Sequence, residues 1–170
     1  MLRATMTTFD LTGAWSGHYE QHGGRHGITM RVAQRGQSFV GEMRDADTVL
    51  ASRETMLALP AANGGGAEAE GEAEVLSTLP ERSIVEGEVT ERVVVFVKQY
   101  QGKSTTSIRI RDRKAKTFEA PGHRVVYRGT LDATGSVLSG TWQIPVPTGG
   151  PTLRGRFVLH RASPAPTSEH

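Results

Sequence analysis

The chain has no cysteine among its 170 residues, which excludes disulfide scaffolds, thiolate metal sites and cysteine nucleophiles. No run of about 18 apolar residues occurs, so no membrane-spanning helix is expected. Met1 to Asp10 lack the apolar stretch of a secretion signal, and a cytoplasmic location is the expectation. Aromatic residues make up only 6%, and the densest basic run, Arg109 to Lys116, contains none. A nucleic-acid surface interleaves the two, so no nucleic-acid partner is expected, and no membrane partner either. Net charge is only +2, although glutamates crowd residues 67–91 and bases crowd 98–128. Gly23-Gly24-Arg25-His26-Gly27 and Asn63-Gly64-Gly65-Gly66 lack the Lys-Ser/Thr ending of a phosphate loop. No GxSxG elbow is present to anchor serine catalysis.

Glycine, in contrast, is abundant at 20 residues, and its placement is patterned. A large apolar residue, a spacer, Gly, a spacer and another large apolar residue recur six times. The units are Trp15-x-Gly17-x-Tyr19, Phe39-x-Gly41-x-Met43, Val85-x-Gly87-x-Val89, Tyr127-x-Gly129-x-Leu131, Leu138-x-Gly140-x-Trp142 and Leu153-x-Gly155-x-Phe157. Spacing by two puts the three marked residues on one strand face. A mid-strand glycine weakens a strand unless a close approach or bend requires it, as in a small closed barrel. Strands are expected over 12–22, 25–34, 37–46, 82–90, 92–100, 104–111, 123–132, 136–145 and 152–161. Short turns join most of them. The expected fold is all-β: one antiparallel up-and-down β-barrel of 8–10 strands, occupying 1–161. A closed meander needs an even count, so either 73–79 adds a strand or one of the nine is surplus. Residues 47–81 form a long insertion, with a helical turn expected near Arg53–Leu59 and then a flexible stretch. Residues 162–170 are expected to be a disordered tail.

Gly13-x-Trp15 on the first strand and Arg161 at the end of the last resemble the signature of the calycin superfamily: lipocalins, fatty-acid-binding proteins and avidins. The resemblance in pattern covers 12–46 and 82–161. It implies a closed barrel in which Trp15 plugs one end with Arg161 packed across it, both structural. It also implies a small ligand inside.

A Gly23-Gly24 turn would pair Gln21 with His26 and Gly17 with Met30. An Arg35-Gly36 turn would pair Met30 with Gly41 and His26 with Asp45. Both registers keep apolar residues on one face, and large would face small at Gly17–Met30–Gly41 and at Tyr127–Trp142–Gly155. Gln21, His26 and Asp45 then meet at the end away from Trp15, where a carboxylate beside an imidazole can hold a polar head or move a proton. Lys98, in parity with Val94, Phe96 and Tyr100, points inward and needs a partner. Candidate ligand-binding residues are Tyr19, Gln21, His26, Met43, Asp45, Lys98, Tyr100 and Tyr127; in an enzyme, His26 and Asp45 would be catalytic. Val93, Val95 and Val97 face outward, an apolar stripe expected to form a homo-oligomer contact. His18, Glu20 and His22 share a face, but residues two apart on a strand are spaced too widely for one ion and point outward. No metal or cofactor is expected. The expected function is binding of a small, largely apolar molecule in the barrel. The alternatives are a cofactor-free cyclase or isomerase acting on an apolar substrate, and a filled barrel serving as a structural or interaction protein.

Overall fold

A computed structural model of the protein describes residues 9–57, 70–110, 114–145 and 153–162. They form twelve strands: β1 (Gly13–Gln21), β2 (Gly24–Arg35), β3 (Ser38–Asp45), β4 (Val49–Leu57), β5 (Glu70–Thr78), β6 (Arg82–Thr90), β7 (Val93–Tyr100), β8 (Lys103–Ile110), β9 (Lys116–Pro121), β10 (Arg124–Leu131), β11 (Val137–Ile144) and β12 (Leu153–Arg161). Eight close into a barrel in the order β1-β12-β11-β10-β7-β6-β3-β2. Every pairing is antiparallel, and each barrel strand neighbours the previous and next barrel strands of the chain. The barrel is therefore an up-and-down meander closed by β1 on β12. Closure satisfies every edge, which an open antiparallel sheet cannot do.

The other four strands form a separate sheet, β4-β5-β8-β9. It belongs to a second compact unit made from two excursions of the chain, 48–80 after β3 and 102–122 after β7. This resolves the odd strand count. The strand expected over 104–111 is β8 and lies outside the barrel, and residues 73–79 do contribute to a strand, β5, which pairs with β4 and β8. The helical turn expected near Arg53–Leu59 is not formed: residues 53–57 lie in β4, and 58–59 fall outside the described residues. The stretch expected to be flexible holds β5 over Glu70–Thr78. Its Ala/Glu/Gly composition suggested a linker, but its period is two and it pairs on both sides. Residues 63–66 and 163–170 lie outside the described residues. β9 escaped notice because all six of its residues are exposed, leaving no apolar alternation to read.

Two hairpin registers differ from expectation by two residues. The β1–β2 turn is His22-Gly23, both at positive φ, and Gln21 pairs with Gly24. This is the primed turn with glycine second, whose twist suits a hairpin. The β2–β3 turn is Gly36-Gln37, with Gly36 at φ 63° and Arg35 opposite Ser38. Slips of two preserve which face is buried, so the apolar residues still point inward. Their partners change: Gly17 faces Ile28, and Gly41 faces Val32 instead of Met30. Tyr127–Trp142–Gly155 stands in one cross-strand row as expected.

The interior is filled in levels. Trp15 is buried near one end, its indole N–H donating to the Leu11 carbonyl at 2.8 Å. The Arg161 guanidinium lies 4.5 Å from the Trp15 ring and donates to the carbonyls of Asp10 and Thr12. Midway along the barrel, Phe96 stacks on Tyr127 at 4.7 Å, while Phe157 and Phe39 meet this pair edge-on. At each of the six motif glycines a Cβ would come closer than 3.0 Å to a neighbouring atom: an aromatic side chain at Gly87, Gly129 and Gly155, and the backbone of an adjacent strand at Gly17, Gly41 and Gly140. At Gly155 this space lets Trp142 cross β12 and donate its indole N–H to the Glu20 carbonyl on β1 at 3.1 Å.

Substitution at these close approaches should be costly. A Cβ at Gly17 would overlap the Val158 carbonyl, and one at Gly140 the Arg128 carbonyl, both of them backbone atoms that cannot rotate away. Gly17→Val or Gly140→Val is expected to cost about 3 kcal/mol, the upper end for overpacking. Gly27→Ala, whose nearest neighbour is the Ala46 methyl at 3.3 Å, should cost less than about 1 kcal/mol. Urea unfolding midpoints compare the three; equal midpoints would contradict the close-approach role.

Candidate functional site

At the barrel end away from Trp15, β3, β6 and β7 end in inward polar residues. Asp45 ends β3, Ser83 opens β6, Lys98 and Tyr100 end β7, and His123 immediately precedes β10. Strand alternation carries each of the strand residues inward: Lys98 and Tyr100 share the parity of Val94 and Phe96, and Ser83 that of Val85. Lys98 is 0% exposed and Asp45 3%. β6 runs between their strands, so the lysine side chain must span it to reach the carboxylate. Lys98 Nζ donates to Asp45 Oδ1 at 2.5 Å and to Tyr100 Oη at 3.0 Å, and lies 4.5 Å from the centre of the Tyr100 ring.

A buried charge requires a partner, and Asp45 supplies it. Burial pushes Lys98 below the ordinary lysine value, an effect Asp45 partly offsets. Burial, reinforced by the Asp45 charge, pushes the phenols of Tyr19, Tyr100 and Tyr127 upward, so all three remain protonated. The His123 ring packs 4.7 Å from that of Tyr100, and burial followed by the Lys98 charge lowers its basicity. Among the described residues, three buried polar atoms have no hydrogen-bond partner: Tyr19 Oη, Asp45 Oδ2 and Ser83 Oγ.

The expected grouping of Gln21, His26 and Asp45 is not formed. With the registers moved by two, His26 stands opposite Tyr19, Asp45 opposite Ile28 and Gln21 opposite Gly24. The His26 Nδ1 contacts the half-exposed Asp47 carboxylate at 3.0 Å, and its ring lies 5.0 Å from Tyr19. Gln21 is half-buried at the turn. Of the other candidates, Tyr19, Met43, Tyr100 and Tyr127 are buried; Tyr100 touches the lysine, while Tyr127 stacks one level deeper on Phe96. Sequence reading missed Ser83, His123 and Asp47. The first two were accessible by extending the alternation of Val85 and Val125 by one step.

Among the described residues, no cluster of three His, Asp or Glu side chains is placed to hold a metal ion. The chain matches no protein-family model, no curated protein and no solved structure.

His123 gives the site a signature in acid. Its folded value lies below the 6.5 of a free histidine, so between the two the unfolded chain binds the extra proton. Stability is therefore full above about pH 6.5 and falls as pH drops through this window. Subtracting the unfolding free energies of His123→Gln from those of the wild type should isolate this slope. A difference independent of pH from 7 down to about 5 would contradict the placement of His123.

Proposed function

We propose that the barrel binds a small, largely apolar molecule whose neutral polar head meets Tyr19, Asp45 and Ser83 beside the Lys98–Tyr100 contact. The observation that carries this reading is the set of three buried polar atoms left open at one end: Tyr19 Oη, Asp45 Oδ2 and Ser83 Oγ. Each such atom costs about 1–3 kcal/mol if nothing bonds it, and folded proteins rarely leave several together. Asp45 Oδ2 can only accept while ionised, so the ligand must donate there; the two hydroxyls can do either. Asp45 and Lys98 cancel wherever their shared proton resides, and the depressed basicity of His123 favours its neutral form. A charged head would upset this balance in a low-dielectric interior. An alcohol or amide head group fits.

Around these groups the walls are apolar: Ile28, Met43 and the rings of Tyr19, Tyr100 and Tyr127. The aromatic level at Phe96 and Tyr127 separates this end from Trp15, which favours a compact ligand over one threading the barrel. The closed eight-strand meander, with Trp15 buried beneath Arg161, supports the calycin-like reading of the fold.

Stability and binding can be separated. Lys98→Met alone should cost about 3–5 kcal/mol by leaving a buried carboxylate unpaired. Lys98→Met with Asp45→Leu should recover most of that loss, yet bind nothing. Native mass spectrometry of freshly purified protein, with denaturing extraction, is expected to find a neutral molecule on the wild type and none on the double variant. Medium-chain alcohols and primary amides should raise the wild-type Tm alone. An empty wild type that no such compound stabilises would sink the reading and leave the pair a structural element of a filled barrel.

A further inference from the structure

The outer surface over β6, β7 and β10 carries a charge pattern that the single chain does not use. Val93, Val95 and Val97 face outward along β7, with Val93 37% exposed. The register sets Glu88–Val95–Arg128 in one cross-strand row and Glu86–Val97–Val126 in the next. Glu86, Glu88 and Arg128 are exposed, and among the described residues none of the three makes an ion pair. Glu88 and Arg128 are two strands apart, about 10 Å, with a valine between them. The face is thus acidic along one side, apolar in the middle and basic along the other.

We propose that this face is a homodimer interface, on which a second copy of the chain docks about a two-fold axis parallel to β7. A two-fold contact brings the same patch of both copies together. Its axis, lying in the interface, can run along the strands or across them. Running across, it would set Glu86 and Glu88 against their own counterparts in the other copy and Arg128 against the partner's Arg128. Running along β7, it exchanges the β6 side for the β10 side: Glu88 meets the partner's Arg128, Arg128 meets the partner's Glu88, and Val95 meets the partner's Val95. Only the second arrangement opposes unlike charges, and it covers the valines. It is an aligned sheet-on-sheet packing with backbones about 10 Å apart. Three strands give a narrow footprint, at the lower end for stable complexes, and dissociation in the roughly micromolar range is expected.

Charge reversal tests both the partner and the axis. Sedimentation equilibrium should find a dimer for the wild type, weakened by salt. Glu88→Arg and Arg128→Glu should each weaken it at least tenfold, and the two together should restore it. Because the chain lacks cysteine, Val95→Cys gives a single thiol next to the axis. A bis-maleimide spanning about 10 Å should link it to its counterpart in the other copy, whereas the exposed control His160→Cys should remain unlinked. Circular dichroism confirms that each surface variant is folded. A monomeric wild type, a dimer indifferent to the single reversals, or a double reversal that does not recover would overturn the proposal. None of these readouts depends on a ligand, so this interface and the proposed binding function can fail separately.

Discussion

Eight strands enclose a space only as wide as the side chains that fill it, and this constraint governs the rest of the molecule. Tryptophan, tyrosine and phenylalanine side chains cannot all point into so narrow a barrel unless the wall opposite each of them is thin. Gly87, Gly129 and Gly155 supply such thin places. Without a Cβ at Gly155, Trp142 lies across a whole strand and reaches a carbonyl on the next. Without one at Gly87, Phe96 and Phe39 approach each other over the β6 backbone. The aromatic rings then pack against one another and leave the middle of the barrel to apolar groups.

The polar cluster follows from the same crowding. Once the middle is filled with rings, inward polar side chains can be accommodated only at an end, and there the strands contribute Asp45, Ser83, Lys98 and Tyr100. A buried ion pair is a weak source of stability, because desolvation offsets much of the attraction. The pair neutralises its own charge while holding the phenol of Tyr100, and the other oxygen of Asp45 has no hydrogen-bond partner among the described residues. The site residues also fall where the chain leaves or re-enters the barrel, since Asp45 and Tyr100 precede the two excursions closely and Ser83 and His123 follow them. Strand ends tolerate polar inward residues for the same reason that they tolerate insertions: the packed interior stops there.

Much of this was legible from spacing alone. Period two with glycine in the middle identified six of the eight barrel strands and alternation alone identified β2 and β7, with their buried faces, because burial imposes alternation whatever the register. Lys98 could be recognised as an inward cation from the parity of Val94 and Phe96. Its partner could not, because pairing depends on register, and register depends on which residues take positive φ in the turns. Reading Arg35-Gly36 where the turn is Gly36-Gln37 kept every face correct but moved every β2–β3 neighbour by two. That slip brought His26 to Asp45 on paper, whereas the fold gives Asp45 to Lys98 across β6. The second sheet was harder to read, because β9 buries no residue and β5 has the composition of a linker. Its strands are specified by their neighbours more than by their own sequences.

β7 shows how far period two can separate roles on one segment. Its even-numbered residues Val94, Phe96, Lys98 and Tyr100 build the core and then the polar site, while odd-numbered Val93, Val95 and Val97 lie on the outer face. Successive side chains belong to different environments and share only the backbone, which is held on both sides by β6 and β10. A valine stripe contributes nothing to filling the barrel, and threonine would satisfy strand propensity there equally well. Valine at three successive outward positions, between an acidic and a basic strand, is therefore a feature that barrel formation does not require. Its explanation belongs with whatever meets the outer face, and the proposed two-fold docking of a second copy is the arrangement that would cover it.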